Sequence, residues 1–567
     1  GAVVLFFTFS PCFIISAVAE DKVITSAELQ QVSQTNFWYA LSVLEPSFVM
    51  ADRAYQGDVL GYVPEESAVG GFSRWTSRAK SRNILFLIDG NRVPLSTARA
   101  LNVSDIKEIR VITDAVSLAA WGINGADGVV EVTTLRPAVT PLKVTYHLNL
   151  SMFTADKSPY SAQQKSVSGP TNWLSQPLQT GFSQRHQIDV GGSDGAVSYK
   201  FTASFAPANR GVMKGSGNDD LNLRAYVGYR HKAINVYNDL AFDYYKARTS
   251  NFGRWGDMAL INGTESPYDG LGMLRPFVDV NGKQVPNPVY EHSLGSFLKE
   301  QTGTLTDRLG VDIDLPYHLQ FKGNFSYARQ YVRYDDFVSP SSAIFMANTD
   351  LRANGTYHIR RSGYVSYEGG ASLNYQANVG KGRLISTLGF NIFDGHRTGE
   401  SYGGRGILSD RMAYITFTQG YDTLQTPVAN RLYERTLRLF VTADYHFNQR
   451  YGIMLAGNLN RSNLLAPDNR SMFYSAGKAY WNMHNETWLK TDWLKTLRLY
   501  VEAGTTGVVP FSYTDFYSTY TNDTHDEYIY NYYQIGARLN HKPNRGLKPI
   551  QMLMLAAGVE MRTKTGQ

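Results

Sequence analysis

Residues 196–206 read AVSYKFTASFA. Val197, Tyr199, Phe201, Ala203 and Phe205 fall on one face of an extended chain; Ser198, Lys200, Thr202 and Ser204 fall on the other. Side chains in a strand repeat every two residues, so this alternation predicts a β-strand with one apolar and one polar face. Asp194-Gly195 just before it is a hairpin turn signal. The same grammar returns along the chain. Leu437, Leu439, Val441, Ala443, Tyr445 and Phe447 alternate with Arg438, Thr442, Asp444 and His446, and Asn448-Gln449 turns the chain toward Tyr451, Ile453, Leu455 and Leu459. Leu319, Phe321, Phe325 and Tyr327 oppose Gln320, Lys322, Asn324 and Ser326, and Leu497, Leu499, Val501 and Ala503 oppose Arg498, Tyr500 and Glu502.

Connections between these segments alternate in length. Short ones lie near Asp194-Gly195, His231-Lys232, Pro316, Gly380-Lys381 and Asn448-Gln449; long ones occupy 250–298, 335–353, 401–430, 464–472 and 507–527. Short turns at one end and long loops at the other are the layout of an outer-membrane barrel, and segments of about ten residues suffice to cross a bilayer when tilted. A β-sandwich or β-solenoid also alternates, but gives fewer long strands and a less uniformly polar opposite face. The alternation rule yields about fifteen or sixteen segments. A sheet in lipid must close, because an open edge leaves unpaired N–H and C=O groups in hydrocarbon. The last segment, Ile550 to Arg562, is followed by no terminal aromatic, so further C-terminal strands are expected. A complete sixteen-strand porin is the alternative.

Composition agrees. The 567 residues include 37 Tyr and 50 Gly, and 13% are aromatic. The chain is polar on average, with a mean hydropathy of −0.29. No apolar run long enough for a membrane helix follows residue 20. A net charge of +6 without a dense Lys/Arg tract gives no argument for nucleic acid. The single cysteine, Cys12, excludes an internal disulfide. Residues 1–19 form an apolar stretch ending Ala17-Val18-Ala19, which reads as a signal-peptide-like segment, with a buried strand or helix as the alternative. Pro11 ahead of Cys12 argues against a lipoprotein site.

Before the alternating region lies a different unit. Ser26 ahead of Glu28-Leu29 is a capping signal, and one or two short helices are predicted over Thr25 to Phe48. Asn83 to Arg136 then holds an apolar run (Ile84 to Ile88) ending in the Asp89-Gly90 turn, and an Ile106/Ile109/Val111 run after Ser104-Asp105. A small-residue segment from Asp114 to Trp121-Gly122 follows, and Gly125 and Gly128 precede the β-branched strand Val129 to Thr133. This is a small mixed α/β unit. Pro137 and Pro141 mark its end.

The stretches FLIDG (Phe86 to Gly90), SDIKEIRVITDA (Ser104 to Ala115), AAWGINGADGVVEVTT (Ala119 to Thr134) and ALSVLEPSF (Ala40 to Phe48) occur in this order, followed by NRGVMKGSG (Asn209 to Gly217), PDNR (Pro467 to Arg470) and ETWLK…LKTLRLYVEAGTTG (Glu486 to Gly507). Together they resemble the SusC/RagA-like branch of TonB-dependent outer-membrane transporters over about residues 25–567. Departures are Thr113 where the family usually has lysine, Trp121-Gly122 for Tyr-Gly, Arg74-Trp75 for Arg-Gly and Val508-Val509 for Asn-Gln. The resemblance implies a transmembrane antiparallel β-barrel with an N-terminal α/β plug domain in its lumen. Residues 25–137 would be the plug and residues 142–567 the barrel, holding about 16 of the family's usual 22 strands. The implied activity is TonB-dependent import of an oligosaccharide or peptide across the outer membrane of a Gram-negative, Bacteroidota-like cell. The TonB–ExbB–ExbD complex would supply energy, and a SusD-like surface lipoprotein would be the partner. A non-transporting receptor or adhesin, or a nonfunctional gene fragment, are the alternatives.

No constellation with catalytic spacing occurs, and neither a metal nor a cofactor is expected. Asp89, Gly90, Asp105, Asp114, Gly122, Gly125 and Gly128 are expected to shape or gate the plug. Asp21, Val23, Ile24 and Thr25 are candidates for pairing with TonB by strand addition. Trp255, Tyr268 and Tyr290, in the long aromatic loop 251–298, are candidates for substrate contact.

Overall fold

The computed structural model describes residues 22–32, 37–45, 48–49, 71–72, 84–93, 97–98, 101–112, 115–125, 128–136, 140–157, 169–421, 427–489, 491, 493–509, 511–523 and 536–563. The segment 1–19, Asp21 and Asp114 lie outside them.

The N-terminal unit is a five-stranded mixed sheet built from β1 (Lys22–Thr25), β2 (Leu85–Ile88), β3 (Asn91–Arg92), β4 (Ile106–Ile112) and β5 (Val129–Thr134). The spatial order is β1-β4-β5-β2-β3. Only β2 and β5 run parallel. All four residues of β2 are buried, which is why its sequence is a continuous apolar run. Helices α1 (Ser26–Val32) and α2 (Phe37–Leu44) cover one face, where Leu29, Phe37 and Leu41 pack on Phe86, Ile88, Ile109 and Val132. Helix α3 (Ala115–Trp121) covers the other, where Leu118 packs on Leu85, Leu87, Ile112 and Val129. Each fully buried Leu, Ile or Phe of this kind contributes about 1.5–3 kcal/mol. The cap of α1 is Thr25 rather than Ser26. The Thr25 amide donates to Glu28 Oε2 at 2.7 Å and the Glu28 amide returns to Thr25 Oγ1 at 3.4 Å, a reciprocal capping box.

The alternating region forms one antiparallel sheet. Its long strands are β6 (Thr140–Phe153), β7 (Gly181–Ser193), β8 (Val197–Arg210), β9 (Gly217–His231), β10 (Ile234–Thr249), β11 (Phe297–Leu315), β12 (Leu319–Val338), β13 (Thr356–Val379), β14 (Gly382–Arg405), β15 (Val428–Phe447), β16 (Tyr451–Ser462), β17 (Ser471–Asn482), β18 (Leu494–Val508) and β19 (Ile550–Thr563). Each pairs with its sequence neighbour, and Gly420–Tyr421 adds a short fifteenth strand beside β14. Two short ribbons lie outside this sheet, Thr519–Asp523 with Gly536–His541 and, inside the long connection 250–298, Phe277–Val280 with Lys283–Pro286. β6 and β19 are the edges, so the sheet as described is not closed.

Burial in this sheet is the reverse of a water-soluble protein. On β8, Phe201 is 46% and Phe205 48% exposed, while Thr202 and Ser204 are 4% and 1% exposed. Leu388, Phe390 and Ile392 on β14 and Leu437, Leu439 and Val441 on β15 continue the exposed apolar band. Such a band is stable where the surrounding solvent is lipid. The polar face turns toward the N-terminal unit. At the Asp194-Gly195 turn, the Val197 and Ala196 amides donate to Asp194 Oδ1 at 2.7 and 2.9 Å and hold that carboxyl below its usual range.

Leu388→Arg should therefore cost about 2–4 kcal/mol if the residue lies at mid-bilayer. Thr387→Arg, on the opposite face, should cost far less. The fraction of heat-modifiable, folded protein recovered in vesicles measures both.

Candidate functional site

The polar face of the large sheet and the N-terminal unit meet through side chains from both. The β2–β3 hairpin supplies one group of these contacts. Its two-residue turn, Asp89-Gly90, has φ of +49° and +80°, the conformation that suits a twisted hairpin and favours Asp-Gly. Asp89 faces back into the unit, where it accepts from the Thr134 amide at 2.9 Å and Thr134 Oγ1 at 2.7 Å. Just beyond the turn, Asn91 bonds Asn324 on β12. The Arg92 amide donates to Glu368 Oε2 at 2.9 Å, and its guanidinium donates to Glu434 Oε1 at 2.7 Å and lies 4.7 Å from the Phe393 ring centre. Burial works against the Arg92 charge. Glu434, the Tyr364 side chain and Glu368 outweigh it and hold the guanidinium above its usual range. Arg308 on β11 pairs with Asp239 on β10 and donates to the Ile88 carbonyl at 3.4 Å, directly before the turn.

A second group of contacts holds the β4 side. Asp105, buried, pairs with Lys200 on β8. Its backbone carbonyl accepts from the Leu135 amide at 2.7 Å. Gln187 donates to Ser104 at 2.9 Å and Arg185 to Asn102 at 3.3 Å. At the exit from the unit, Arg136 lies 4.1 Å from the Tyr237 ring centre and 3.8 Å from Asp312.

On the α3 side the contact changes character. Val116 and Ala119 pack on Ala456 and Ala476 of β16 and β17. Asn458 donates to the Ala120 carbonyl, and Arg438 lies 4.0 Å from the Trp121 ring centre. Gly122, at φ +59°, comes so close to this wall that a Cβ would meet the Tyr474 ring at 3.1 Å. Gly125 has no room for one beside Trp121, at 2.6 Å, and Gly128 adopts φ +105°.

The remaining sequence candidates are placed as follows. Val23, Ile24 and Thr25 belong to β1, the edge strand of the small sheet, paired on one side with β4. Val23 is exposed and Ile24 buried. The unit's sheet thus takes in residues ahead of the expected boundary at 25. Trp255 is partly buried in the long-loop lobe: it packs against Trp173, Met213 and Met258, and its indole N–H donates to the Leu174 carbonyl at 2.9 Å. Tyr290 donates to the Ser341 carbonyl at 2.9 Å and joins two loops. Tyr268 sits exposed near Leu271 and Met273. Among the described residues no three His, Cys, Asp or Glu side chains converge as a metal site would require. Arg92, Glu368, Glu434 and Arg438 were missed as contacts. The signal was limited: Arg92 follows the turn motif, and the other three lie at polar positions of alternating strands.

Arg92→Ala should weaken the hold on the hairpin by about 1.5–3 kcal/mol, read as faster hydrogen exchange of the Leu85–Arg92 amides. Combining it with Glu434→Gln should be non-additive; strict additivity would show that the two do not couple. Glu131 on β5 faces Arg110 across the sheet. Burial pushes its carboxyl up, with Arg110 pulling the other way. The folded unit therefore binds the proton more tightly than the unfolded chain, and stability falls as pH rises through the folded-state value. Glu131→Gln should make exchange protection of β5 less dependent on pH and raise it under alkaline conditions.

No family model matches the chain. In sequence it is 22% identical over 508 residues to TonB-dependent receptor P3 of Formosa agariphila, covering 81% of this chain and 48% of that protein. It is 21% identical over 506 residues to TonB-dependent receptor P26 of the same organism, covering 81% and 50%. The chain thus spans about half the length of these curated relatives. In structure it matches the RagAB peptide transporter with a TM-score of 0.75 at 14% identity, over 97% of this chain and 66% of that one. The siderophore receptor PirA from Acinetobacter baumannii follows with a TM-score of 0.52 at 12% identity, over 96% and 68%. The chain is homologous in sequence to these TonB-dependent receptors and shares the fold of the RagAB transporter.

Proposed function

We propose that this chain is part of a TonB-dependent importer in the outer membrane of a Gram-negative, Bacteroidota-like cell, taking up an oligosaccharide or peptide nutrient. The carrying observation is a sheet that is apolar outside and polar inside, with a folded α/β unit held against the polar side by Arg92, Asn91 and Lys200. In this reading residues 25–137 are the plug and residues 142–567 the wall of the barrel, with further strands joining β6 to β19 to complete a wall of about 22. The plug would close a pore too wide to leave open. Asp89, Gly90, Asp105, Asp114, Gly122, Gly125 and Gly128 would fix its shape and the part that yields.

TonB, energised by ExbB and ExbD, would pull from the N-terminal side. Strand addition along the edge of β1 that has no partner strand among the described residues would engage Asp21, Val23, Ile24 and Thr25 without extracting Ile24 from the core. A SusD-like lipoprotein would cover the long-loop end, where Tyr268 and Tyr290 lie with the partly buried Trp255.

Deletion of the gene in its own host, followed by growth on a panel of single polysaccharides and peptides, tests the reading. Loss of growth on one nutrient, copied by deletion of TonB and restored by the gene, is the expected result. Unchanged growth with loss of surface binding would instead indicate a receptor or adhesin, and no phenotype at all a nonfunctional fragment.

A further inference from the structure

On the face turned away from the N-terminal unit, the exposed apolar band gives way to positive charge toward the long loops. On β10 the exposed Leu240, Phe242 and Tyr244 are followed in the same alternation by Lys246 and Arg248, both exposed. On β11 Leu309 and Leu305 lead to Lys299 in the same way. β8 joins them through an irregularity. Its register on β9 shifts between Ala206 and Asn209, so that Asn209 is buried and Arg210 lies exposed beyond Phe205. Cross-strand pairing then sets Arg210, Gly217, Arg248 and Lys299 side by side in one row.

Like charges directly opposite across a strand pair repel, and Arg248 opposite Lys299 is such a pair. The carboxylates on this face are engaged elsewhere. Asp335, opposite Lys299 on its other side, accepts from Arg333 Nε and Nη2 at 2.7 and 2.8 Å and from the Tyr357 hydroxyl at 2.9 Å. Asp219 lies one row nearer the band, opposite Lys246, and accepts from the Ala208 amide at 2.7 Å. Asp410, on a loop above, accepts from the Gly295 amide at 2.9 Å. Glu300 and Asp243, on the same two strands, alternate to the opposite face. From β8 to β12 the two rows thus hold five basic residues (Arg210, Lys246, Arg248, Lys299, Arg333) against Asp219 and Asp335, a net charge of +3. Among the described residues Arg210, Arg248 and Lys299 form no salt bridge; the Lys299 ammonium lies 3.8 Å from the Phe297 ring centre, a contact that leaves its charge in place. Gly217 keeps the space between the two arginines clear, since a Cβ there would meet the Asn209 carbonyl at 2.4 Å. Two strand spacings, about 10 Å, separate the arginine backbones, a gap that one phosphate fills when both guanidinium forks turn toward it.

We propose that this row binds the phosphate of an outer-leaflet glycolipid. Arg210 and Arg248 hold the phosphate across Gly217, Lys299 adds charge beside them, and the acyl chains lie along Phe205, Leu223, Phe242 and Leu305. A lipid is favoured over an acidic protein because the row is continuous with the apolar band: Arg248 is about 14 Å along the strand from Tyr244, so an anion held there has exposed apolar surface directly beneath it. The site rests on the outer-membrane placement in the import reading and not on transport itself.

The test is native mass spectrometry of the purified full chain in detergent, titrated with bisphosphorylated lipid A, dephosphorylated lipid A, inorganic phosphate and hexaglutamate. Bisphosphorylated lipid A should bind, weaken as salt rises, and lose roughly ten- to a hundredfold in affinity in Arg210→Gln and in Arg248→Gln. Arg248→Lys should recover part of the loss, and heat-modifiability should verify that each variant is folded. Arg435→Gln removes an exposed arginine that Asp394 already pairs, and should leave lipid binding unchanged. Equal binding of dephosphorylated lipid A or of inorganic phosphate, tighter binding of hexaglutamate, or an equal loss in Arg435→Gln would each overturn the proposal. So would undiminished binding in the folded Arg210→Gln, Arg248→Gln, Lys299→Gln triple variant, or no binding of lipid A to the unmodified chain. Failure here with nutrient-dependent growth intact would leave the import reading standing. Absence of that growth dependence with lipid binding intact would overturn import alone.

Discussion

A strand surrounded by hydrocarbon has no water to bond its backbone, so its N–H and C=O groups must find partners on neighbouring strands. That requirement leaves side chains as the only freedom, and here they divide between an exposed apolar face and a polar face turned toward the N-terminal unit. Everything else in this molecule follows from the division. Leu388, Phe390 and Ile392 lie exposed on one face, and Thr202, Ser204 and Asn458 lie buried on the other. The inner face is then a surface of charges and amides, and the N-terminal unit is shaped to meet it.

The meeting is uneven, and electrostatics explains how. Charges removed from water need partners at close range, since an unpaired buried charge costs several kcal/mol. Around the β2–β3 hairpin those partners exist: Arg92 has Glu434 and the carboxylate of Glu368 nearby, Arg308 has Asp239, and Asp105 has Lys200. Around α3 the surface is made of alanines, one backbone carbonyl and an arginine against Trp121. The hairpin side is directional and the α3 side depends on close fit, which is why Gly122 has no space for a side chain there.

Much of this architecture was legible in the sequence because strand periodicity is local. The faces of Val197 to Phe205 and Leu437 to Phe447 follow from side-chain alternation alone. The Asp89-Gly90 turn was equally legible, since few dipeptides accept positive φ at both positions. The internal structure of the long connections was less so: that Phe277–Val280 pairs with Lys283–Pro286 inside 250–298 depends on contacts that no alternation rule marks. The cap of α1 moved by one residue for a similar reason: both Thr25 and Ser26 can cap, and the reciprocal bond to Glu28 selects Thr25. Trp255, a candidate for substrate contact in sequence, is partly buried against the core of the loop lobe, a packing partner that the sequence alone does not reveal.

By itself, then, the sequence determined that the chain alternates between apolar and polar faces, that an α/β unit precedes the alternating region, and where the tight turns fall, because each depends on residues near in the chain. Only the tertiary structure decided which charges meet. Arg92 lies 276 positions from Glu368 and 342 from Glu434, and no pattern in either segment points to the other. Their proximity is set by strand register across the sheet and by the docking of the hairpin on it. These are long-range properties, fixed when the polar faces of two separately patterned units are brought together.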